Sequence, residues 1–436
     1  MTKTFANSAL LLCAALALAA ASVGHAAPAA APGVAAPDPV ALAAILAKAP
    51  GKPTTFALIV DLDSGAPVVD LRGGQQAYPA SVAKMFTTAA TLRTLGPERR
   101  LVTRLAWSSP RAPTRGAAKI AETLAIIGGG DPSLTVADFD RFAGRVVAAG
   151  VGRVGTLVVD STLFDDALPR GFAEKATDAT YRAPIDALQV GGSAITVVIK
   201  PGPLGKAAQI EVRPASAAIV IDNQARTVSG KRERLQVRSG GKAKRTLVVV
   251  TGTIGLRRRA VAVRRRVHDA RVFAGETFRA RLEAKGVTVG KLVFGQAPAS
   301  GLKTLLVHKS APLLELIQHC NKTSHNGYAE TFYKLHGAEQ IGRPGTAVKA
   351  EAAMQQALAG LQIPWAEVRQ GNGSGLYHAN KVSPRALVAL LRGMHGDAKV
   401  GEIWRKSLAI GAVDGTLRGR FGTVATARRI FAKTGP

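Results

Sequence analysis

The chain changes texture twice, and this limits the folds open to it. From about residue 98 to 300 short β-like runs recur, at Thr123–Ile127, Val154–Asp160, Ile195–Ile199, Thr246–Thr251 and Val287–Phe294. Helical pieces at about 135–149 and 271–285 interrupt them. Before this block, Thr55–Asp61 and Ala66–Leu71 flank the turn Asp63-Ser64-Gly65 as a hairpin, and Val82 to Leu95 is apolar enough for a buried helix. After Ser310 the pattern is helical, with candidates at 310–322, 326–337, 347–360 and 384–395, followed by a strand-like run from Thr426 to Lys433. A helical body split by a β-rich one predicts an α+β fold with one or two small domains inserted. The 436 residues are enough for two or three such bodies.

Residues 1–26 read as a signal peptide. Lys3 is its positive end, Leu10 to Val23 its apolar run, and Gly24-His25-Ala26 puts small residues before the cut. Residues 27–40 are Ala/Pro-rich and read as a flexible linker. Beyond residue 26 no stretch approaches the roughly 18 apolar residues of a membrane span. The expected location is therefore periplasmic or extracellular. Of the two cysteines, Cys13 lies in the signal segment. Cys320 is left without an intrachain partner, in an apolar helical stretch where packing is its natural role.

The net charge of +29 would ordinarily suggest nucleic acid. Export argues against that partner and leaves envelope polymers, phosphorylated lipids and peptide carboxylates as the available anions. Much of the excess lies in 226–266, where fourteen Lys and Arg stand against Glu233 alone. The simplest reading of this stretch is a solvated basic face. The functional reading is a contact surface for anionic envelope polymers.

Three short motifs carry chemistry. In Ser81-Val82-Ala83-Lys84 the spacing puts hydroxyl and amine on one helical face, where the lysine can take the serine proton. Ser-x-x-Lys recurs at Ser239-Lys242 and Ser300-Lys303, but only Ser81 opens a long apolar helix. Ser324-His325-Asn326 is the sole Ser-x-Asn, and Lys433-Thr434-Gly435 the sole Lys-Thr-Gly. A second serine can relay a proton to a leaving amine, a carboxamide can hold a substrate amide, and a cation beside a hydroxyl can grip a terminal carboxylate. There is no Gly-x-Ser-x-Gly elbow, phosphate loop or His-Glu-x-x-His. Gly128-Gly129-Gly130-Asp131 reads as a tight turn, and His319, Cys320 and His325 match no standard metal spacing. No metal or cofactor is expected.

With these three motifs in this order, the chain resembles the penicillin-binding protein 4 type of D-alanyl-D-alanine carboxypeptidase/endopeptidase from about residue 40 to 436. Further pieces of the likeness are Gly128-Gly129-Gly130-Asp131-Pro132-Ser133-Leu134, Val158-Val159-Asp160-Ser161-Thr162-Leu163-Phe164, Ala329-Glu330, Asn372-Gly373-Ser374-Gly375-Leu376 and Asp414-Gly415-Thr416-Leu417. The gap of about 240 residues between the first two motifs also resembles this family. The resemblance implies a discontinuous transpeptidase/β-lactamase-like catalytic domain, an antiparallel sheet with helices, from 41–97 and 301–436. Residues 98–300 would form the inserted α+β domains. It implies that Ser81 attacks the penultimate D-Ala carbonyl, Lys84 acts as base and Ser324 shuttles the proton. Asn326 would hold the substrate backbone, and Lys433, Thr434 and Gly435 would bind the terminal carboxylate end. The implied partners are peptidoglycan stem peptides and β-lactams, with endopeptidase action on cross-links as an additional option.

The chain departs from the family at three places. Asn372-Gly373-Ser374-Gly375-Leu376-Tyr377-His378 stands where the family shows Asp-Gly-Ser-Gly-Leu-Ser-Arg, so the arginine that reads an acidic side group is missing. Pro436 follows Lys-Thr-Gly, where the family's next residue donates an oxyanion-hole N–H that proline lacks; losing such a donor costs about 10²–10³ in rate. The family also continues past this point with more strands and a helix. A truncated or frame-shifted descendant of an active enzyme is the expectation from the last two. The alternative function is then an impaired homologue that binds envelope or peptidoglycan. A β-lactamase ranks behind both, because no second base for a deacylating water is evident.

Overall fold

The structure is a computed structural model describing residues 38–48, 55–175 and 177–435. The signal-peptide reading of 1–26, most of the 27–40 linker and Pro436 lie outside the described residues. The chain divides into two compact units. The first gathers the segment up to Pro97, Ile317–His325, and Met354 onward; the second comprises Glu98–Leu316 and Asn326–Ala353.

In the first unit, strands Ala57–Val60 and Pro67–Leu71 pair antiparallel. Asp61 closes their turn by accepting from the backbone N and the hydroxyl of Ser64. A 3-10 turn, Ala80–Ala83, runs into the helix Lys84–Leu95, buried from Lys84 through Leu92. A helix buried all round must dispose of its polar side chains. Thr88, Thr91 and Thr94 do so by donating to the carbonyls of Lys84, Thr87 and Ala90, one turn back. Gly96, at φ 77, ends the helix by donating its N–H to Leu92 O. The helix Pro384–His395 begins with Pro at its first position and Ser383 as cap, accepting from Ala386 N at 3.0 Å.

The sheet of this unit is fragmentary. Val368–Gln370 pairs with Asn380–Val382, and Ala409–Ile410 with Phe431–Ala432, both antiparallel. The strand expected over 426–433 shrinks to Phe431–Ala432. Arg428 adopts φ 63, which an extended strand cannot accommodate, and Thr426 Oγ1 donates back to Phe421 O. The preceding residues therefore fold as turns.

The second unit is built on a five-stranded sheet in the order Thr288–Phe294, Val151–Asp160, Lys119–Ile127, Val102–Trp107, Lys303–Lys309. The first three strands are parallel and the remaining pairings antiparallel. Helix Val136–Ala148 starts on a reciprocal Thr135–Asp138 capping box. It meets helix Ala270–Glu283 through Phe139, Phe142 and Phe278, with 5.4 Å between the Phe139 and Phe278 ring centroids. A three-stranded sheet runs Val261–Arg266, Ala194–Lys200, Gln209–Arg213. A four-stranded sheet runs Glu233–Lys242, Arg245–Gly255, Ile219–Asn223, with Arg226–Val228 also paired to Arg245–Gly255. Val197, Val250, Phe273 and Leu157 belong to one continuous apolar core. The class is α+β.

Two glycines of this unit make opposite predictions. A Cβ at Gly129 would lie 1.9 Å from the Val102 carbonyl oxygen, whereas one at Gly144, inside helix Val136–Ala148, meets nothing within 4 Å. Gly129→Ala is expected to destabilise the unit by 2 kcal/mol or more, on the order of a severe backbone clash. Gly144→Ala is expected to stabilise it by roughly 0.5–1 kcal/mol. Hydrogen-exchange protection of Val102–Trp107 and Lys119–Ile127 reads both, falling in the first variant and rising in the second.

Candidate active site

Ser81 sits in the 3-10 turn at the foot of the buried helix, and Lys84 is that helix's first residue. Lys84 Nζ lies 2.9 Å from Ser81 Oγ and donates to the Ser374 carbonyl at 2.8 Å. Lys84 has no exposed surface. An ammonium removed from water is costly unless hydrogen-bonded, and the serine oxygen and the carbonyl supply such contacts. They also aim the amine at the hydroxyl. The two decoy motifs lack this geometry: Ser239 and Lys242 lie on a β-strand, where residues three apart face opposite ways. Ser300 precedes a strand that begins at Lys303.

The turn around Ser81 is pinned from behind. Ala80 takes φ 46, a left-handed conformation rare for a residue with a side chain. Gly375, at φ 76, packs so closely that a Cβ there would stand 1.7 Å from Ala80 O. Its loop is held by Asn372, whose Oδ1 accepts from Gly375 N at 2.7 Å and whose Nδ2 donates to Leu376 O at 3.1 Å. Asn380 in turn accepts from Asn372 N and donates to Asn372 O. Gln370 donates to Thr87 Oγ1 at 2.8 Å, and Thr87 donates to Gly373 O at 2.8 Å. Asparagine thus serves this loop as a backbone clamp.

Ser324 lies in the turn between helices Leu313–Thr323 and Asn326–Gln340, again left-handed at φ 58. His325 N donates to Cys320 O, closing the turn. Asn321 donates to Thr88 Oγ1 and to Ser407 Oγ at 2.8 Å, while Trp404 Nε1 reaches the same Thr88 hydroxyl at 3.1 Å. Lys322 pairs with Asp414 at 2.6 Å. These bonds tie the Ser324 turn to the helix Lys84–Leu95 and to the chain leading into the third motif.

Lys433 Nζ donates to Ser324 Oγ and to Thr434 O, each at 2.9 Å. Thr434 Oγ1 donates to Thr416 Oγ1 at 3.0 Å. A Cβ at Gly435 would come 3.8 Å from Pro79 O and 3.9 Å from Val82 Cγ2, which sets the third motif beside the Ser81 turn. Burial is the main force lowering the Lys433 ammonium from its ordinary value of 10.5 to about 7; the Lys84 charge adds to it and Cys320 opposes it. Lys433 therefore gains and loses a proton near neutrality.

Ser81, Lys84, Ser324, Lys433, Thr434 and Gly435 all belong to the first unit. Asn326 opens helix Asn326–Gln340 in the second unit, and its Nδ2 donates to Tyr181 O at 2.9 Å. Cys320 is fully buried, packed as expected. Among the described residues no group of three or more His, Cys, Asp or Glu could hold a metal ion. Sequence reasoning missed two partners. The Ser374 carbonyl has no signal in a sequence, because any residue supplies one. The Thr416 hydroxyl sat in view within Asp414-Gly415-Thr416-Leu417 but carried no motif logic of its own.

A serine and lysine in contact, a second serine on a second lysine, and a hydroxyl-bearing strand end define a serine acyl-transfer class of site. The chain belongs to the D-Ala-D-Ala carboxypeptidase 3 (S13) family, whose profile matches residues 40–436. It is 33% identical over 396 residues to a D-alanyl-D-alanine carboxypeptidase of Actinomadura sp. (strain R39), covering 87% of this chain and 72% of that protein. It is 22% identical over 382 residues to penicillin-sensitive carboxypeptidase A of Dictyostelium discoideum, covering 82% and 71%. The fold matches the crystal structure of penicillin binding protein 4 from Haemophilus influenzae with a TM-score of 0.73 at 20% identity, over 86% of this chain and 83% of that one.

The lowered Lys433 makes a stability prediction. A lysine whose folded value lies below its unfolded one destabilises the fold when charged. That cost is absent above about 10.5, grows as pH falls, and is complete below about 7. Lys433→Met is therefore expected to melt higher than the parent at pH 6, with the difference shrinking steadily toward pH 10. Differential scanning calorimetry across that range measures it.

Proposed function

We propose that the protein is an exported serine D-Ala-D-Ala carboxypeptidase that cleaves peptidoglycan stem peptides through an acyl-enzyme on Ser81. The observation that carries this reading is the contact of Ser81 Oγ with Lys84 Nζ at 2.9 Å, beside Ser324 Oγ on Lys433 Nζ at the same distance. Ser81 Oγ attacks the carbonyl of the penultimate D-Ala while Lys84 Nζ, in its neutral amine form, takes the hydroxyl proton. The tetrahedral intermediate collapses as the C–N bond breaks, and the departing D-Ala amine takes a proton through Ser324 Oγ, which Lys433 supports. Water then attacks the Ser81 ester, releasing the shortened peptide and restoring the hydroxyl. Lys433 and Thr434 receive the terminal carboxylate, Gly435 leaves room for the substrate backbone, and Asn326 holds a substrate amide. β-Lactams, which carry a carboxylate beside a strained amide, acylate the same serine. Cleavage of cross-links is the same chemistry with a larger leaving amine. The signal-peptide pattern of residues 1–26 supports a periplasmic or extracellular location, and no helix among the described residues is long and apolar enough to cross a membrane.

The hydrogen-bonded pairing of both serine–lysine couples favours this reading over a purely binding role. A fluorescent penicillin is expected to label Ser81, to fail on Ser81→Ala, and to react about 10²–10⁴ times more slowly with Lys84→Ala, the range for loss of a general base. Folded parent protein that stays unlabelled would sink the proposal.

The acylation rate should also depend on pH through Lys433. Only the charged form attracts a carboxylate, and it is lost as pH rises through about 7 in the free protein. The second-order rate with a penicillin is expected to fall on the alkaline side. In Lys433→Arg, whose guanidinium stays charged, that fall should flatten at a lower plateau. An alkaline limb unchanged in the arginine variant would remove Lys433 from carboxylate binding.

A further inference from the structure

The basic stretch of the second unit is organised as a row. Strand Glu233–Lys242 is an edge strand, since its sheet runs on only through Arg245–Gly255. Arg234, Arg238 and Lys242 stand four residues apart on its outward face, with Gln236 and Gly240 between them, and all three are exposed. They span eight residues, about 27 Å of strand at ~3.4 Å per residue. Strand Val261–Arg266, itself the edge of another sheet, is fastened alongside. Arg265 Nε donates to Val237 O at 2.8 Å, Ser239 Oγ donates to Arg266 O at 2.8 Å, and Asp178 accepts from Ser239 N at 2.8 Å while lying 3.1 Å from Arg265. Exposed Arg264 is the neighbour of Arg265 in that strand. At one end Arg258 pairs with Glu233 at 2.6 Å, placing exposed Arg257 and Arg259 next to Arg234. At the other end Lys244 and Arg245 turn the hairpin onto Lys242.

Glu233 is spent on Arg258. Among the described residues the side chains of Arg234, Arg238, Lys242, Arg257, Arg259 and Arg264 make no ion pair, so the row repels itself. Eleven of the fourteen cations in 226–266 are arginine. A guanidinium fork recognises oxyanions in two-point fashion, which a merely solubilising charge does not require. The large apolar side chains exposed beside the row, Val228 and Leu256, are too few to anchor a helix-free surface in lipid. A straight line of uncompensated arginines suits a ligand that is also linear and charged at intervals.

We propose that this row is an exosite for an extended envelope polyanion whose charges are backbone phosphodiesters, tethering the protein to its polymer independently of the Ser81 site. The experiment uses the full chain and four probes at 150 mM salt: poly(glycerol phosphate), polyglutamate, phosphatidylglycerol vesicles and a single-stranded DNA oligonucleotide. Poly(glycerol phosphate) is expected to bind tightest. Substitution of all three strand cations (R234S, R238S and K242S together) should weaken it at least tenfold and lower the slope of log affinity against log salt by about 2, as three lost phosphate contacts predict. Penicillin labelling should be unchanged in that variant, because no substituted residue belongs to the unit that holds Ser81, and the melting temperature should not fall, because mutual repulsion along the row is relieved. Unchanged polymer affinity in the variant overturns the proposal. So does equal or tighter binding of polyglutamate, vesicles or DNA, which would assign the row to carboxylates, membrane or nucleic acid instead.

Discussion

Two lysines brought into one buried cluster set the terms for the rest of the first unit. Lys84 has no exposed surface and Lys433 has 7%, and the charge of the first depresses the second. Such a pair cannot be held by apolar packing. Each amine must be met by oxygens placed within hydrogen-bond reach, and the surrounding architecture supplies them. The Ser374 carbonyl faces Lys84 because Asn372 clamps its loop, and the loop lies close because residue 375 has no Cβ. Ser324 faces Lys433 because its turn is held by Asn321 and Lys322. The strained backbone at Ala80 and Ser324 is the conformational cost of that placement, tolerated because neighbouring bonds over-determine it.

The α+β class was legible in the sequence, because it rests on periodicities that packing amplifies. The helices Val136–Ala148, Ala270–Glu283 and Pro384–His395 lie within a residue or two of their expected bounds. The strand ahead of Lys433 was not legible. Its β-branched residues favour extension, but a left-handed Arg428 and a hydroxyl bond from Thr426 turn the chain instead, and neither is a matter of local propensity. The side chains of the site were legible as motifs, since each is a distinct chemical type at a fixed spacing. Its backbone was not. The Ser374 carbonyl and the close approach of Gly375 emerge only when segments nearly 300 residues apart meet. The substitution at Asn372 shows the same limit. Sequence comparison presents it as a lost acid and a lost arginine, whereas in the fold its amide holds the loop at Gly375 N and Leu376 O.

The two units solve different electrostatic problems. The first confines a few cations in a dry interior, where each is met by a named oxygen. The second spreads many along a wet edge, where solvent and salt share the work. The two sets of cations lie on separate units of the chain. This lets one be altered by substitution without disturbing the other.

The first unit is assembled from three separate stretches of chain. Ser81 emerges early in synthesis, Ser324 comes more than 240 residues later, and Lys433 after a further hundred. During translation, the Ser81 segment is therefore present for most of the chain's emergence without the groups that complete its surroundings. A nascent chain has the Ser81 hydroxyl but neither Ser324 nor Lys433, and contacts of such sequence separation carry a large loop-closure cost in folding. Assembly of the cluster is thereby timed by topology: the two serine–lysine contacts coexist only when residue 433 has arrived.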